Sequence, residues 1–321
     1  MRSDVMKHYG LTRDLPRSGY FETKQLREVF DAIKAAIHGG KLLALVGLVG
    51  CGKTTTLHRL VETLADEREI LVSQSLAVDK HRVNLGTLMT AMFYDLVTEK
   101  DFKMPTQPEK RERKLIEVIA KRRKSIALFI DEAHDLHHKT LVGLKRLIEL
   151  VQNNGGTLSV VLVGHPKLRN DLRRPALEEI GARTSLFWLE GIKGQEQTYI
   201  EWLLAQCTKS KITDILTEEA IARLATGLST PLQIEQYLTL AFEAAYQVGQ
   251  KPVTVEIIDS VLAADLDALE ATLTRYGYNT RALAELLNVR PTEIRAFLHG
   301  QLAPGRTQEL YTQLLAAGLP V

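Results

Sequence analysis

The chain has little of what would tie it to an oxidising compartment or a bilayer. Its 321 residues include only two cysteines, Cys51 and Cys207, too few for a disulfide framework and suited to a reducing compartment. No apolar stretch approaches the ~18 residues of a membrane span, and Met1-Arg2-Ser3-Asp4 opens no secretory apolar segment. There is no internal repeat and no low-complexity tract. A Cys/His set at zinc spacing is missing too, so His134, His137 and His138 read as solvated loop residues. The absences leave a soluble cytoplasmic protein, and 321 residues allow two or three domains.

Strong charge of one sign is also missing from the whole, but not from its parts. The net charge is +2. From Asp101 to Lys124 nine Lys/Arg face four Asp/Glu, a local excess of +5. From Thr254 to Thr274 five acids stand with no Lys/Arg. A basic stretch in a near-neutral chain is a footprint for a polyanion or a solvated helix face; the acidic stretch reads as solvated helix surface.

What is present is a phosphate loop. Gly47-Leu48-Val49-Gly50-Cys51-Gly52-Lys53-Thr54 fits G-x-x-x-x-G-K-[ST] at every position. An apolar strand-like run, Leu42 to Val46, precedes it, and a helix opens at Thr55. Glycines let backbone N–H groups close around phosphates, and the helix N-terminus presents partial positive charge. The expected nucleotide contacts are therefore Gly47, Gly50, Cys51, Gly52, Lys53, Thr54 and Thr55, with Lys53 at the β/γ-phosphates of ATP and the Thr54 hydroxyl on Mg²⁺. Cys51 reads either as a redox-sensitive thiol or as a small residue in a variable loop position.

The second half of the site is Ile126 to Ile130, an apolar run followed by Asp131-Glu132-Ala133-His134. Such a run is what a parallel strand buried on both faces needs, and its carboxyl end is where open α/β sheets bind ligands. Asp131 is expected to hold Mg²⁺ through water, and Glu132 to activate the water that attacks the γ-phosphate. A further strand, Leu158 to Val163, runs into Gly164-His165-Pro166. It sets His165 beside Asp131, as a γ-phosphate sensor or a plain turn histidine.

Strand signals at 42–46, 70–73, 126–130, 158–163 and 185–189 alternate with helical patterns, which predicts an α/β fold with a parallel, doubly wound sheet. After Gly191 the patterns are helical, at 195–208, 217–226, 231–248 and 254–273. We divide the chain into an entry segment and helix (1–40), an α/β nucleotide-binding core (41–191), a helical lid (192–270) and a C-terminal helical module (271–321).

GLVGCGKTT, LFIDEAH, LVGHPKLRNDL and TYIEWLLAQC, at these intervals, resemble the AAA+ ATPases of the ExeA and transposition-regulator group. That group includes phage Mu B protein, TnsC/TniB-type regulators and IstB-like helpers. The resemblance spans roughly residues 10–265. It implies a P-loop AAA+ core, ATP and Mg²⁺ as cofactors, and a homo-oligomer on duplex DNA that directs a transposase to its target. ExeA-type secretion ATPases carry a membrane helix, which favours the transposition branch here; a secretion or signalling ATPase without DNA, or a nucleotide-switched scaffold, are the alternatives. By position His165 resembles sensor 1, and Arg183 the arginine finger that completes a neighbour's site, with Arg173 and Arg174 competing. Where many relatives place a sensor-2 arginine, this chain has Ser229-Thr230-Pro231-Leu232-Gln233, so slow, assembly-coupled hydrolysis is expected. DNA contacts by resemblance are Lys80, Arg82 and Lys103.

The tail, Leu283 to Phe297, has a helix-turn-helix rhythm. Ala284 lets helices approach, Asn288 takes a turn position, Pro291 opens the second helix, and Arg290, Thr292 and Arg295 are exposed. It reads either as a DNA reader or as a docking module for a protein partner.

Overall fold

All five apolar runs join one parallel sheet. β1 (Leu42–Gly47), β2 (Ile70–Gln74), β3 (Ser125–Ile130), β4 (Leu158–Gly164) and β5 (Ser185–Leu189) lie in the order β2-β3-β4-β1-β5. The computed structural model describes residues 1–75, 83–97, 103–262 and 269–320. The first eight helices are α1 (Ser3–Tyr9), α2 (Lys24–Ile37), α3 (Lys53–Glu67), α4 (Leu85–Leu96), α5 (Pro108–Arg122), α6 (His138–Asn153), α7 (Pro166–Leu172) and α8 (Glu178–Gly181). After β5 follow α9 (Glu196–Cys207), α10 (Glu218–Gly227), α11 (Pro231–Gln247), α12 (Val255–Leu262), α13 (Leu269–Arg275), α14 (Thr280–Leu287), α15 (Pro291–Leu298) and α16 (Pro304–Ala316). The helical run expected at 254–273 thus appears as α12 and the start of α13, with 263–268 outside the described residues.

The chain divides into two compact units. One holds Lys24–Gly47 and Lys53–Leu189; the other holds Met1–Thr23, Leu48–Gly52 and Glu190–Val321. The expected entry segment 1–40 is thereby shared between them. In the sheet unit every residue of β1 and β4 is buried, and five of the six in β3. Strands covered on both faces must be apolar throughout, which is why they read as continuous runs rather than alternations. The polar exception, Ser159 in β4, is fully buried and satisfied. Its hydroxyl donates to Ile37 O at 2.6 Å and accepts from Lys41 N at 3.0 Å, which pins the end of α2 to the sheet.

The second unit is helical. Leu203, Leu204, Leu224, Leu238 and Phe242 form its core with Val5, Tyr9, Leu11 and Leu15 from the N-terminal segment. That segment is a strap: Thr12 N donates to Cys207 O at 2.8 Å, and the Tyr9 hydroxyl donates to Gln250 O at 2.8 Å. A separate cluster holds the tail, with Leu273, Tyr278, Leu283, Ile294, Phe297, Leu310 and Leu314 buried together. Within it Asn288 ends α14 in the left-handed region at φ 54°, and Pro291 occupies the first turn of α15.

Candidate nucleotide site

Strand register brings the site together. β4 lies between β3 and β1, with Ile130 opposite Leu162 and Val46 opposite Gly164. One or two residues past those pairs, Asp131-Glu132, His165 and Gly47 all leave the same carboxyl edge of the sheet. The phosphate loop then runs from β1 into α3, which begins at Lys53. Gly50 and Gly52 have φ of 78° and 95°, which a side chain would strain. A Cβ on Gly50 would also lie 2.5 Å from that of Leu232, so the position is closed to any other residue. Cys51 is buried against Gly191, in keeping with a packing role for this thiol.

In the sheet unit Lys53 is 5 % exposed, and its Nζ donates to His165 Nδ1 at 3.4 Å. The Thr54 hydroxyl donates to Asp131 Oδ2 at 2.9 Å. A hydroxyl and a carboxylate in contact are the oxygen donors that a hard divalent cation takes, so the pair fits Mg²⁺. Thr55 lies exposed on the first turn of α3. Asp131 Oδ1 also accepts from Glu132 N at 2.9 Å, which holds the turn after β3.

Glu132 is in the left-handed region at φ 52°. A non-glycine residue there is strained by roughly 1–2 kcal/mol. The turn carries its carboxylate to two histidines: Oε2 lies 3.2 Å from His134 Nδ1 and 3.4 Å from His165 Nε2. The two imidazole centroids are 4.0 Å apart. Burial, with electrostatic repulsion from His134 and Lys53 adding to it, pushes the pKa of His165 down to about 3, so its ring is neutral at physiological pH. His134 is 11 % exposed, which corrects its reading as a solvated loop histidine; His137 and His138 are exposed as expected. The signal missed was the left-handed turn at Glu132, which folds His134 back over the end of β4.

The remaining candidates lie elsewhere. Arg183 is exposed in the turn between α8 and β5, with Nη1 3.0 Å from Glu149 Oε1 and Nη2 3.8 Å from Glu179 Oε1. Arg174 pairs with Asp171 at 3.0 Å, and Arg173 is exposed. Lys103 is exposed ahead of α5, while Lys80 and Arg82 lie outside the described residues. At the expected sensor-2 position Thr230 caps α11, accepting from Gln233 N at 3.3 Å, and Leu232 N donates to Gly50 O at 3.3 Å.

Comparison with known proteins agrees with the fold. Residues 36–172 match the family model described as AAA domain. Over 220 residues, 66 % of this chain, it is 30 % identical to General secretion pathway protein A of Aeromonas hydrophila. The chain spans 38 % of that relative's length. The crystal structure of Cdc6p from Pyrobaculum aerophilum superposes with a TM-score of 0.54 at 16 % identity, covering 99 % of this chain and 90 % of that one. The chain carries an AAA-type P-loop ATPase domain and is homologous to General secretion pathway protein A. Among the described residues no helix is long and apolar enough to cross a membrane.

Proposed function

We propose that the protein is an ATP-switched, DNA-binding ATPase of the cytoplasm that assembles on duplex DNA and directs a transposase to its target. The observation that carries the switch is the convergence of Lys53, Thr54, Asp131, Glu132 and His165 at one sheet edge. Lys53 would turn from His165 to the β/γ-phosphates, and Thr54 and Asp131 would hold Mg²⁺. The bound cation supplies charge neutralisation at the phosphates. Glu132 orients and activates the attacking water, and His165, neutral and 15 % exposed, reports on the γ-phosphate. Arg183 acts in trans in a homo-oligomer. With Leu232 in place of a sensor-2 cation, turnover is slow and tied to assembly.

The DNA reading rests on the resemblance and on the basic stretch before β3. Within that stretch Arg111, Arg122 and Lys124 are spent on backbone carbonyls of Pro105, Leu96 and Arg68. Lys103, Lys110, Arg113 and Lys121 are exposed and, with Lys80 and Arg82, are the residues assigned to phosphates. Phosphate contacts give affinity without sequence information.

A second reading, a secretion or signalling ATPase without DNA, is favoured by the 30 % identity to General secretion pathway protein A. Because the chain spans 38 % of that relative, the lack of a membrane helix in these residues does not separate the two. Filter binding to unrelated duplexes, with ATP and with ADP across a salt series, does. The first reading expects ATP-dependent binding that weakens steeply with salt, and a flatter slope for Lys80→Ala with Arg82→Ala. No retention with either nucleotide at low salt would favour the second, and equal retention with ATP and ADP would remove the nucleotide switch from the first.

A further inference from the structure

Three side chains at the ends of β3 and β4 form a set in which Glu132 and His165 also serve the proposed hydrolysis, whereas His134 has no part in it. Glu132, His134 and His165 each offer one ligand atom, and the three atoms lie within 4.8 Å of one another. Zinc bonded to nitrogen and oxygen at about 2.0–2.1 Å places tetrahedral ligands about 3.3–3.4 Å apart. Two of the three separations, 3.2 Å from Glu132 Oε2 to His134 Nδ1 and 3.4 Å to His165 Nε2, match that edge, and the third lies within 4.8 Å. On the far side of the ring His134 Nε2 lies 3.7 Å from Asp135 Oδ1, beyond hydrogen-bond distance, so the carboxylate is a neighbouring charge.

The geometry points to a binding site for a borderline-soft divalent cation of the zinc class, held by Glu132, His134 and His165 with a fourth position open. Two imidazoles and one carboxylate suit Zn²⁺ or Co²⁺ and not Mg²⁺, which prefers oxygen donors such as Thr54 and Asp131. The site is distinct from the magnesium position but shares its wall.

Lys53 gates it. An ammonium can only donate, so the Lys53 contact makes His165 Nδ1 an acceptor and puts the ring proton on Nε2, facing Glu132. In that tautomer Nε2 has no lone pair for a cation. When Lys53 withdraws, the proton passes to Nδ1 by way of solvent and Nε2 becomes a ligand. A cation there ties up the Glu132 carboxylate, so it stops hydrolysis while leaving the phosphate loop able to bind nucleotide. That consequence rests on Glu132 as the water-activating residue; the site itself does not.

The test is a Co²⁺ titration of the full chain without nucleotide or Mg²⁺, read by the visible absorption of four-coordinate cobalt and by equilibrium dialysis. One Co²⁺ per chain is expected, displaced by Zn²⁺. His134→Ala and His165→Ala should each weaken it at least about tenfold, and Lys53→Ala should tighten it. His137→Ala with His138→Ala, exposed histidines of the same segment, should change nothing. Circular dichroism confirms that each variant is folded. No saturable cobalt in wild type, or cobalt that follows His137 and His138, overturns the site, and unchanged affinity in Lys53→Ala overturns the gate. One equivalent of Zn²⁺ should then cut Mg²⁺-ATP turnover at least about tenfold in wild type and leave the His134→Ala rate at its own metal-free value. Full turnover with zinc bound overturns the inhibitory role. Glu132→Gln assayed in Mg²⁺ alone shows separately whether the reading of Glu132 holds.

Discussion

Two groups of polar and ionisable residues in the sheet unit are equally dense and differ in their surroundings. At the carboxyl ends of β3 and β4, Lys53 is 5 % exposed, and His134 and His165 are 11 % and 15 % exposed. On the face formed by α6 and α8, Arg183 and Glu179 are 64 % and 67 % exposed, although Lys145 and Glu149 complete an equally dense network. Burying polar groups costs stability unless each finds a partner, and the first cluster adds a left-handed Glu132 to that cost. Strain and buried charge held together at a strand end mark a place where chemistry is done. Lys145 is itself 17 % exposed, but the Arg183 pairs cost little and hold little, since solvent screens them. That arginine is easily released to a new partner. The difference teaches that Lys53 and Glu132 are committed to one site, whereas Arg183 is available.

The largest effects should come from the buried cluster. Lys53→Ala removes the charge expected at the β/γ-phosphates, and nucleotide affinity should fall at least about a hundredfold in a fluorescent-nucleotide titration. Next comes Glu132→Gln, which keeps the shape of the side chain and removes the carboxylate proposed to activate water. Turnover should fall by about 10²–10⁴ with nucleotide affinity nearly unchanged. If Glu132→Gln hydrolyses ATP at the wild-type rate, the contrast between a working cluster and an idle network collapses.

The sequence made one side of this comparison more legible than the other. β1, β3 and β4 are continuous apolar runs because both their faces are covered, and the phosphate loop is a local motif, so strands and loop could be read directly. Asp131 and His165 followed from the strand ends. His134 did not, because its partner His165 is 31 residues on and the left-handed turn that joins them has no spacing signature. Helix α1 was hidden for another reason: it buries only Val5 and Tyr9, too few for a periodic stripe. An arginine finger is completed by a second copy of the chain, so nothing in one chain's pattern ranks Arg183 above Arg173 and Arg174.

A smaller effect is expected from the tail, which has its own cluster around Leu273, Tyr278 and Phe297. It also touches the phosphate loop, since Val49 N donates to Arg275 O at 3.0 Å. The place of truncation therefore matters. Ending the chain after Arg275 should leave nucleotide affinity within about threefold of wild type, whereas ending it after Ala271 removes the acceptor and should weaken affinity a further few-fold, in line with the net worth of one hydrogen bond. Equal affinity for the two truncations would make that loop contact incidental. The same proteins address the role of the tail. In the candidate recognition helix Glu293 is tied to Arg306 at 2.6 Å, which leaves Arg290 and Arg295 exposed beside a neutralised acid. Lost transposase recruitment with unchanged DNA affinity assigns the tail to a protein partner; lost DNA affinity assigns it to DNA.

The smallest effect on the isolated chain should be that of Arg183→Ala, and this makes it the sharpest test of the comparison. Its partners Glu149 and Glu179 lie on the exposed face, and Glu179 keeps its contact with Lys145, which holds the Glu179 carboxyl below its usual range. Removing Arg183 therefore leaves no buried charge unpaired, and the melting temperature should stay within about 2 °C of wild type. Nucleotide affinity of the monomer should also be unchanged, because Arg183 stands apart from Lys53 and Thr54 in its own chain's fold. Turnover at assembling concentrations is the readout that moves: an arginine supplied by a neighbour is worth about 10³-fold or more in phosphoryl transfer. Mixing Arg183→Ala with Lys53→Ala should then restore part of the activity. An intact loop from the first protein meets an intact arginine from the second at shared interfaces. Full turnover by Arg183→Ala alone would make the exposed network idle in the assembly as well as in the chain. A large loss of stability or of monomer nucleotide affinity would place Arg183 with the buried cluster and end the distinction between them.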